Sequence, residues 1–194
     1  MSTENNPTTD FLGREFTFTR EFAMPRDRVF RAWTDSNHLA QWWGPTGFTN
    51  PVCEWNLRPG GKIYDVMRAP DGAEHPMAGA FSEIVPPEKL VFSCGALDEQ
   101  GKLLFELLHT ATFVESGGKT KLTLRSRITM TTPGADKYLG GFEQGLALSL
   151  GRLDEHLAHA TEPLVIERTL AAPVAAVWRA LTEAQQMEIG RAHV

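Results

Sequence analysis

The sequence predicts an α+β fold in which a curved antiparallel sheet wraps around a long C-terminal helix, with two short helices after the first strand. Three observations predict it. Residues 14–22 alternate in the manner of a strand, residues 52–130 form a succession of strands and short turns, and residues 136–159 carry apolar side chains at helical spacing. Strands joined by short turns pair antiparallel, so one sheet and one long helix can bury each other's apolar faces.

The first strand and the helices after it have clear local signals. Phenylalanines alternate with threonines along residues 14–22, as in a strand with one buried face. Pro25 favours a helix start because the first turn leaves its missing N–H without consequence. The apolar stripe of this helix is Val29, Phe30 and Trp33. Residues 38–41 add a short turn of helix, which Gly44 and Pro45 end.

The middle of the chain reads as an antiparallel meander. Its strands are separated by turns rich in glycine and proline. The predicted strands are residues 62–68, 77–85, 90–94, 106–115 and 120–130.

The long helix is predicted over residues 136–159. Its apolar stripe is Phe142, Leu146, Leu150, Leu153 and Leu157. Gly140, Gly141, Gly145 and Gly151 interrupt it, and a glycine inside a helix costs about 1 kcal/mol relative to alanine. Two explanations are open: close contact between helix and sheet, or space left for a ligand. Both turn the glycine face towards the sheet.

Composition and charge exclude some classes of partner. The formal net charge is −5, with 42% hydrophobic and 22% charged residues. Nucleic-acid binding needs clustered Lys and Arg, so we expect no nucleic-acid partner. No apolar run approaches the roughly 20 residues that span a bilayer, so we expect no membrane partner. Residues 1–13 are predicted to be a disordered lead-in without a signal segment. The protein is therefore expected to be cytoplasmic. Cys53 and Cys94 are then expected as free thiols.

The chain begins the same pattern twice. Residues 18–35 and 166–183 align without gaps, and the identical pairs include Arg20 with Arg168, Pro25 with Pro173 and Thr34 with Thr182. Residues 14–160 are therefore predicted to be one domain and residues 163–187 the first strand and helix of a truncated second copy. Residues 188–194 do not continue the repeat. The second copy is expected to dock on the first domain, to pair between chains, or to fray.

The ordered motifs of the first copy resemble a known superfamily. They are Pro25…Val29-Phe30…Trp33-Thr34, Leu39…Trp42-Trp43-Gly44-Pro45, Arg58-Pro59-Gly60-Gly61, residues 87–92, Thr112-Phe113 and Gly141-Phe142. Over residues 14–160 the chain is similar to SRPBCC (START-like, helix-grip) domains, within them to the branch named after the activator of heat-shock-protein-90 ATPase. The resemblance implies a helix-grip fold and a deep hydrophobic cavity, without a catalytic set.

The resemblance places the candidate ligand-binding residues on the walls of that cavity. They are Trp43, Trp55, Tyr64, Met67, Phe81, Phe92, His109 and Phe142. The tryptophans have two interpretations, because Trp42, Trp43 and Trp55 can line a pocket mouth or fill the open end of the sheet as core.

His109 is the candidate with acid–base chemistry, and Glu106 is close to it in sequence. Residues 106 and 109 point to opposite faces of a strand, so a dyad is not expected. No nucleotide-binding loop, nucleophile elbow, HExxH or Cys-x-x-Cys motif is present in the sequence. No catalytic residue, cofactor or metal is therefore assigned.

Three functions remain open, and fold alone does not choose among them. The favoured one is binding of a small hydrophobic or aromatic molecule without catalysis. The second is a cyclase or hydratase that uses one or two polar cavity groups such as His109 or Glu106. The third is an interaction module that activates a chaperone, with self-association through the second copy as a further partner.

Overall fold

A computed structural model describes residues 11–159, which form a seven-stranded antiparallel sheet with helices on one side. The strands are β1 (Glu15–Phe22), β2 (Thr49–Trp55), β3 (Lys62–Arg68), β4 (Glu74–Val85), β5 (Lys89–Ala96), β6 (Phe105–Ser116) and β7 (Lys119–Thr131). The helices are α1 (Arg26–Thr34), α2 (Ser36–Trp42), α3 (Asp136–Leu139) and α4 (Phe142–His159). The spatial order β1-β7-β6-β5-β4-β3-β2 puts β1 and β2 at opposite edges, so α1 and α2 cross the sheet between them.

This architecture confirms the predicted α+β fold. The predicted strand over residues 62–68 coincides with β3, and the other strands start or end within a few residues of their predictions. None of the helices in residues 11–159 is long and apolar enough to cross a membrane. The lead-in was predicted to reach residue 13, but Gly13 already donates its N–H to the carbonyl of Ile128 at 2.9 Å. The second copy and the tail lie outside the described residues.

The core lies between the inner face of the sheet and the helices. Every second residue of β6 is buried, from Phe105 to Phe113, which is the alternation of a strand with one packed face. The covering side chains of α4 are Leu146, Leu150, Leu153 and Leu157. Burial of these two matched patterns holds helix and sheet together, at about 25 cal/mol per Å² of apolar surface.

The long helix differs from its prediction because it breaks at Gly140 and Gly141, which separate α3 from α4. Two adjacent glycines are the weakest point of such a helix, so the interruption falls there. Within α4, a Cβ added at Gly145 would lie 3.5 Å from Cγ of Pro45, an ordinary contact, and one at Gly151 would meet nothing within 4 Å. Close contact with the sheet therefore does not explain the glycines of α4.

Glycine is required instead in the sheet. A Cβ added at Gly95 of β5 would collide with the carbonyl oxygen of Phe105, and one at Gly79 of β4 with that of Ser93. Backbone cannot move away as the end of a side chain can, so these positions leave no room for a side chain.

Alanine substitutions at two glycines should have opposite effects. Gly151→Ala should raise the free energy of unfolding by about 0.5–1 kcal/mol, because α4 gains helix propensity without a clash. Gly95→Ala should lower it by about 3 kcal/mol or more, because the sheet must shift. Urea unfolding followed by circular dichroism measures both. A Gly95→Ala protein as stable as the wild type would contradict the close approach of β5 and β6.

Candidate functional site

A cavity of about 100 Å³ lies between the inner face of the sheet and α4. Its lining consists of Trp43, Gly44, Pro45, Met67, Met77, Cys94, His109, Phe142, Gly145, Leu146 and Ser149. The resemblance implied a deep cavity, whereas the one found here is small. Larger depressions occur on the surface, but that around Asp98 and Lys137 mixes charged and polar side chains. The cavity under α4 is therefore the candidate site.

Three strands and one helix supply its apolar walls. Met67, Met77 and Cys94 come from the adjacent strands β3, β4 and β5, where they point to the covered face. Phe142 and Leu146 come from the first turns of α4, four residues apart and so on one side of the helix. Methionine side chains adapt readily to the shape of a neighbour, so this wall can follow different ligands.

The turn after α2 forms the remaining wall. Gly44 has φ +93°, and a Cβ there would lie 3.1 Å from the sulfur of Met67. Glycine thus allows both the left-handed backbone and the close approach to β3. Asn50 holds the turn from β2, because its Nδ2 donates to the carbonyls of Ala40 at 3.1 Å and Trp43 at 2.6 Å. Trp43 is thereby presented to the cavity by a fixed backbone.

His109 contributes an imidazole ring to the wall of the cavity. Its ring is 2% exposed and stacks on Phe92 at 4.9 Å between centroids. Nδ1 lies 2.8 Å from the hydroxyl of Ser126, which leaves Nε2 for a ligand. Burial lowers the pKa of His109 to about 4, so the ring is neutral at pH 7. A neutral imidazole orients a ligand by hydrogen bonding and carries no charge into the cavity.

Asp65 is a buried carboxyl group behind the wall. It is 0% exposed on β3, its Oδ1 accepts from the indole N–H of Trp55 at 3.4 Å, and its Oδ2 has no hydrogen-bond partner. Burial raises the pKa of Asp65 to about 7, while the indoles of Trp55 and Trp43 favour the ionised form and oppose that shift. Asp65 is therefore partly protonated at neutral pH.

The two cysteines lie close enough to Asp65 for its charge to act on them. Both thiols are free. Burial, with a smaller contribution from Asp65, raises the pKa of Cys53 to about 12 and that of Cys94 well above its usual range. Neither cysteine is a nucleophile at neutral pH, since the thiolate is the reactive form.

The structure separates the eight predicted site residues into three groups. Trp43, Met67, His109 and Phe142 line the cavity together. Trp55, Phe81 and Phe92 are buried in the layer behind it, where their rings pack against one another at 5.1–5.8 Å. This places Trp55, like Trp42, in the core and Trp43 at the pocket. Tyr64 is 39% exposed on the other face of β3, because residues 64 and 67 have opposite parity.

Sequence reasoning missed several residues of the site. The strand of Asp65 held a usable signal, because Ile63, Asp65 and Met67 share one parity, which predicts a buried carboxyl. Cys94 likewise shares its parity with Leu90 and Phe92. Ser126, Pro45 and Ser149 reach the site through tertiary packing and carry no local signal of it.

Within the described part of the chain, no group of three or more His, Cys, Asp or Glu side chains could hold a metal ion. The carboxyl group of Glu106 is on the opposite face of β6 from His109, where its Oε1 accepts from the hydroxyl of Thr129 at 2.9 Å. The two side chains do not meet, as strand alternation predicted.

The fold and the covered apolar cavity define an α+β domain of the helix-grip, START-like class. The model of one family matches residues 23–158, most of the chain. The chain belongs to this family, the Activator of Hsp90 ATPase homolog 1-like proteins.

Solved bacterial structures share the fold. An AHSA1 protein from Silicibacter pomeroyi is 27% identical, with a TM-score of 0.63 over 75% of this chain and 98% of that one. A protein from Mycobacterium smegmatis is also 27% identical, with a TM-score of 0.64 over 79% and 94%. A protein from Arthrobacter aurescens, 24% identical, has a TM-score of 0.69 over 80% and 92%. The comparison with curated proteins gave no match.

Asp65 and His109 should give opposite pH dependences of stability. The folded-state pKa of Asp65 is raised from 3.8 to about 7, so its contribution is present below pH 4 and is lost as the pH rises to 7. The folded-state pKa of His109 is lowered from 6.5 to about 4, so its contribution is present above pH 6.5 and is lost as the pH falls to 4.

Substitution of either residue should leave the pH dependence of stability that the other residue causes. Asp65→Asn should be more stable than the wild type at pH 8 by up to a few kcal/mol, with stability falling on acidification, because one pKa unit is worth about 1.4 kcal/mol. His109→Gln should lose stability as the pH rises from 4 to 7. Urea unfolding at pH 4.5, 6 and 8 measures these profiles. Profiles parallel to that of the wild type would show that neither group is buried as described.

Proposed function

We propose that this chain binds a small hydrophobic or aromatic molecule in the cavity between the sheet and α4. The observation that carries the proposal is the lining, which is mostly apolar and whose polar groups are the neutral imidazole of His109 and the hydroxyl of Ser149. Small-molecule sites have this character: they are mostly apolar, with a few polar groups that fix the orientation of the ligand. The helix-grip fold supports the same use, although fold alone does not decide function.

The imidazole of His109 narrows the class of ligand, because the hydroxyl of Ser149 already donates to the carbonyl of Gly145 at 3.0 Å. Nδ1 of His109 is engaged by Ser126, and Nε2 either accepts or donates a hydrogen bond according to the tautomer. A hydroxyl group satisfies both cases because it donates and accepts. The rings of His109, Phe142 and Trp43 favour a planar partner. A phenol-like ligand therefore fits this chemistry best.

The size of the cavity limits the ligand further. A volume of about 100 Å³ is less than the roughly 150 Å³ of an apolar cavity that takes up benzene. Four lining residues, Pro45, Met67, Phe142 and Gly145, are only half-buried. We expect a single-ring ligand to enter on their side, with a small outward movement of this rim.

A catalytic role is the second candidate, and His109 is the observation that favours it. A cyclase or hydratase needs an acid or base in the cavity, with a pKa near the working pH. His109 is a weak base at pH 7, and none of the residues lining the cavity is a carboxylate. The site therefore supports binding better than proton transfer. The third candidate function, activation of a chaperone through a protein–protein contact, does not use the cavity.

A pair of matched variants in α4 tests the binding proposal. Gly145 faces the cavity and Gly151 does not, yet both gain the same helix propensity on substitution by alanine. Phenol should raise the melting temperature of the wild-type protein and of Gly151→Ala. It should bind Gly145→Ala at least about tenfold more weakly, because the added methyl group occupies the space of the ligand.

The full-length chain is used, and binding is measured by thermal shift and by titration calorimetry. Saturation with phenol at 100 times its dissociation constant corresponds to about 2.7 kcal/mol of stabilisation. Equal affinity in Gly145→Ala and the wild type would place phenol outside the cavity. No shift with phenol, cresols or indole would contradict the proposal and favour the chaperone-interaction module.

A further inference from the structure

Arg152 makes an unusual set of contacts with the turn that forms one wall of the cavity. From the middle of α4, its Nη1 donates to the carbonyls of Trp43 at 3.3 Å, Gly44 at 3.0 Å and Pro45 at 3.1 Å. Its Nη2 donates to the carbonyl of Gln41 at 2.7 Å. One guanidinium group thus binds four carbonyl oxygens, and these belong to the end of α2 and the turn after it.

These contacts join two opposite walls of the cavity. Trp43, Gly44 and Pro45 form one wall, and Phe142, Gly145, Leu146 and Ser149 on α4 form the other. Arg152 is one turn further along α4 from Ser149. Arg152 is therefore a direct link between the two walls at this end.

An arginine suits this task better than other residues. Its planar guanidinium group carries five N–H donors in a rigid fork and stays charged at every relevant pH. The carbonyls at a helix C-terminus lack partners within the helix and carry partial negative charge, so a cation there is favourable. Burial lowers the pKa of Arg152, with Glu155 opposing that shift.

We propose that Arg152 is a positioning residue that holds the cavity in its small form and so sets the largest ring that the cavity admits. The inference rests on the proposed function, because it concerns the ligand range of the same site. In the ligand-free protein, the side chain of Arg152 is then the main contact that holds the turn over residues 42–46 against α4.

When the Arg152 side chain is removed, other hydrogen bonds still hold the turn. Asn50 still donates to the carbonyls of Ala40 and Trp43, and Trp43 still donates its N–H to the carbonyl of Leu39 at 2.9 Å. His38 and His156 also join α2 to α4, with 3.0 Å between Nδ1 and Nε2. Arg152→Ala therefore loosens the tether to α4 at the cavity, while these other contacts remain.

The experiment compares three variants of the full-length chain. Arg152→Ala removes the tether, and Arg152→Lys keeps the charge but not the fork. Arg20→Gln is the matched control, because Arg20 on β1 pairs with Asp154 on α4 at 3.5 Å, a contact of the same helix that does not involve the turn. Hydrogen exchange of the four backbone amides in residues 42–46, those of Trp42, Trp43, Gly44 and Thr46, reports the turn. The affinity ratio of 2-naphthol to phenol reports the cavity.

The exchange of residues 42–46 should be at least about tenfold faster in Arg152→Ala, because the variant loses four hydrogen bonds from a charged group and one such bond is already worth about tenfold. The affinity ratio of 2-naphthol to phenol should rise about tenfold for the same reason. Arg152→Lys should lie between Arg152→Ala and the wild type, and Arg20→Gln should match the wild type in both measurements.

Two results would overturn the proposal. One is wild-type exchange of residues 42–46 in Arg152→Ala, or in Arg152→Lys should the alanine variant not fold. The other is an affinity ratio that changes equally in Arg20→Gln, which would show that any loosening of α4 widens the cavity. If neither 2-naphthol nor phenol binds the wild type, the proposed function fails. The proposal about ligand range then fails with it. The exchange data still decide whether Arg152 holds the turn.

Discussion

An unbroken series of stacked and edge-packed aromatic rings joins the two short helices to the sheet, and the position of the cavity depends on it. The rings are Trp33, Trp42, Trp43, Trp55, Phe92 and His109, with 4.9–5.5 Å between neighbouring centroids. Aromatic pairs of this kind contribute about 0.5–1.5 kcal/mol each beyond the area they bury. The series fills one end of the inner face as core. Space remains beyond Trp43 and His109, where methionines and a glycine replace the rings.

The packing of Trp55 in this aromatic series also explains why the core tolerates a carboxyl group. Asp65 is wholly buried, yet the indole of Trp55 donates to one of its oxygens, and protonation removes its charge. A group that is partly protonated at pH 7 costs much less in an apolar core than a fixed charge would. The fold thus keeps His109 neutral and Asp65 partly protonated near the cavity at pH 7.

Much of the fold could be predicted from the sequence, because strand alternation and turn residues are local signals. The strand over residues 62–68 and the stripe of α4 are of this kind. Half of the predicted site residues line the cavity, and alternation alone would have removed Tyr64, which is out of phase with Met67. The break at Gly140 and Gly141 was not predicted, because helix periodicity continues across it. Arg152 was missed because its partners are more than a hundred residues away in sequence.

The two walls of the cavity differ in how easily they move, and this difference bears on ligand choice. Trp43 is fixed twice, by the aromatic series and by the hydrogen bonds of its turn, and His109 is fixed by Phe92 and Ser126. Phe142, by contrast, follows a break between two helices at two glycines. Movement on binding is least costly where fewest contacts must be broken. In the proposed binding mode, Trp43 and His109 therefore set the orientation of the ligand, and the start of α4 adapts to its size together with the methionines of β3 and β4.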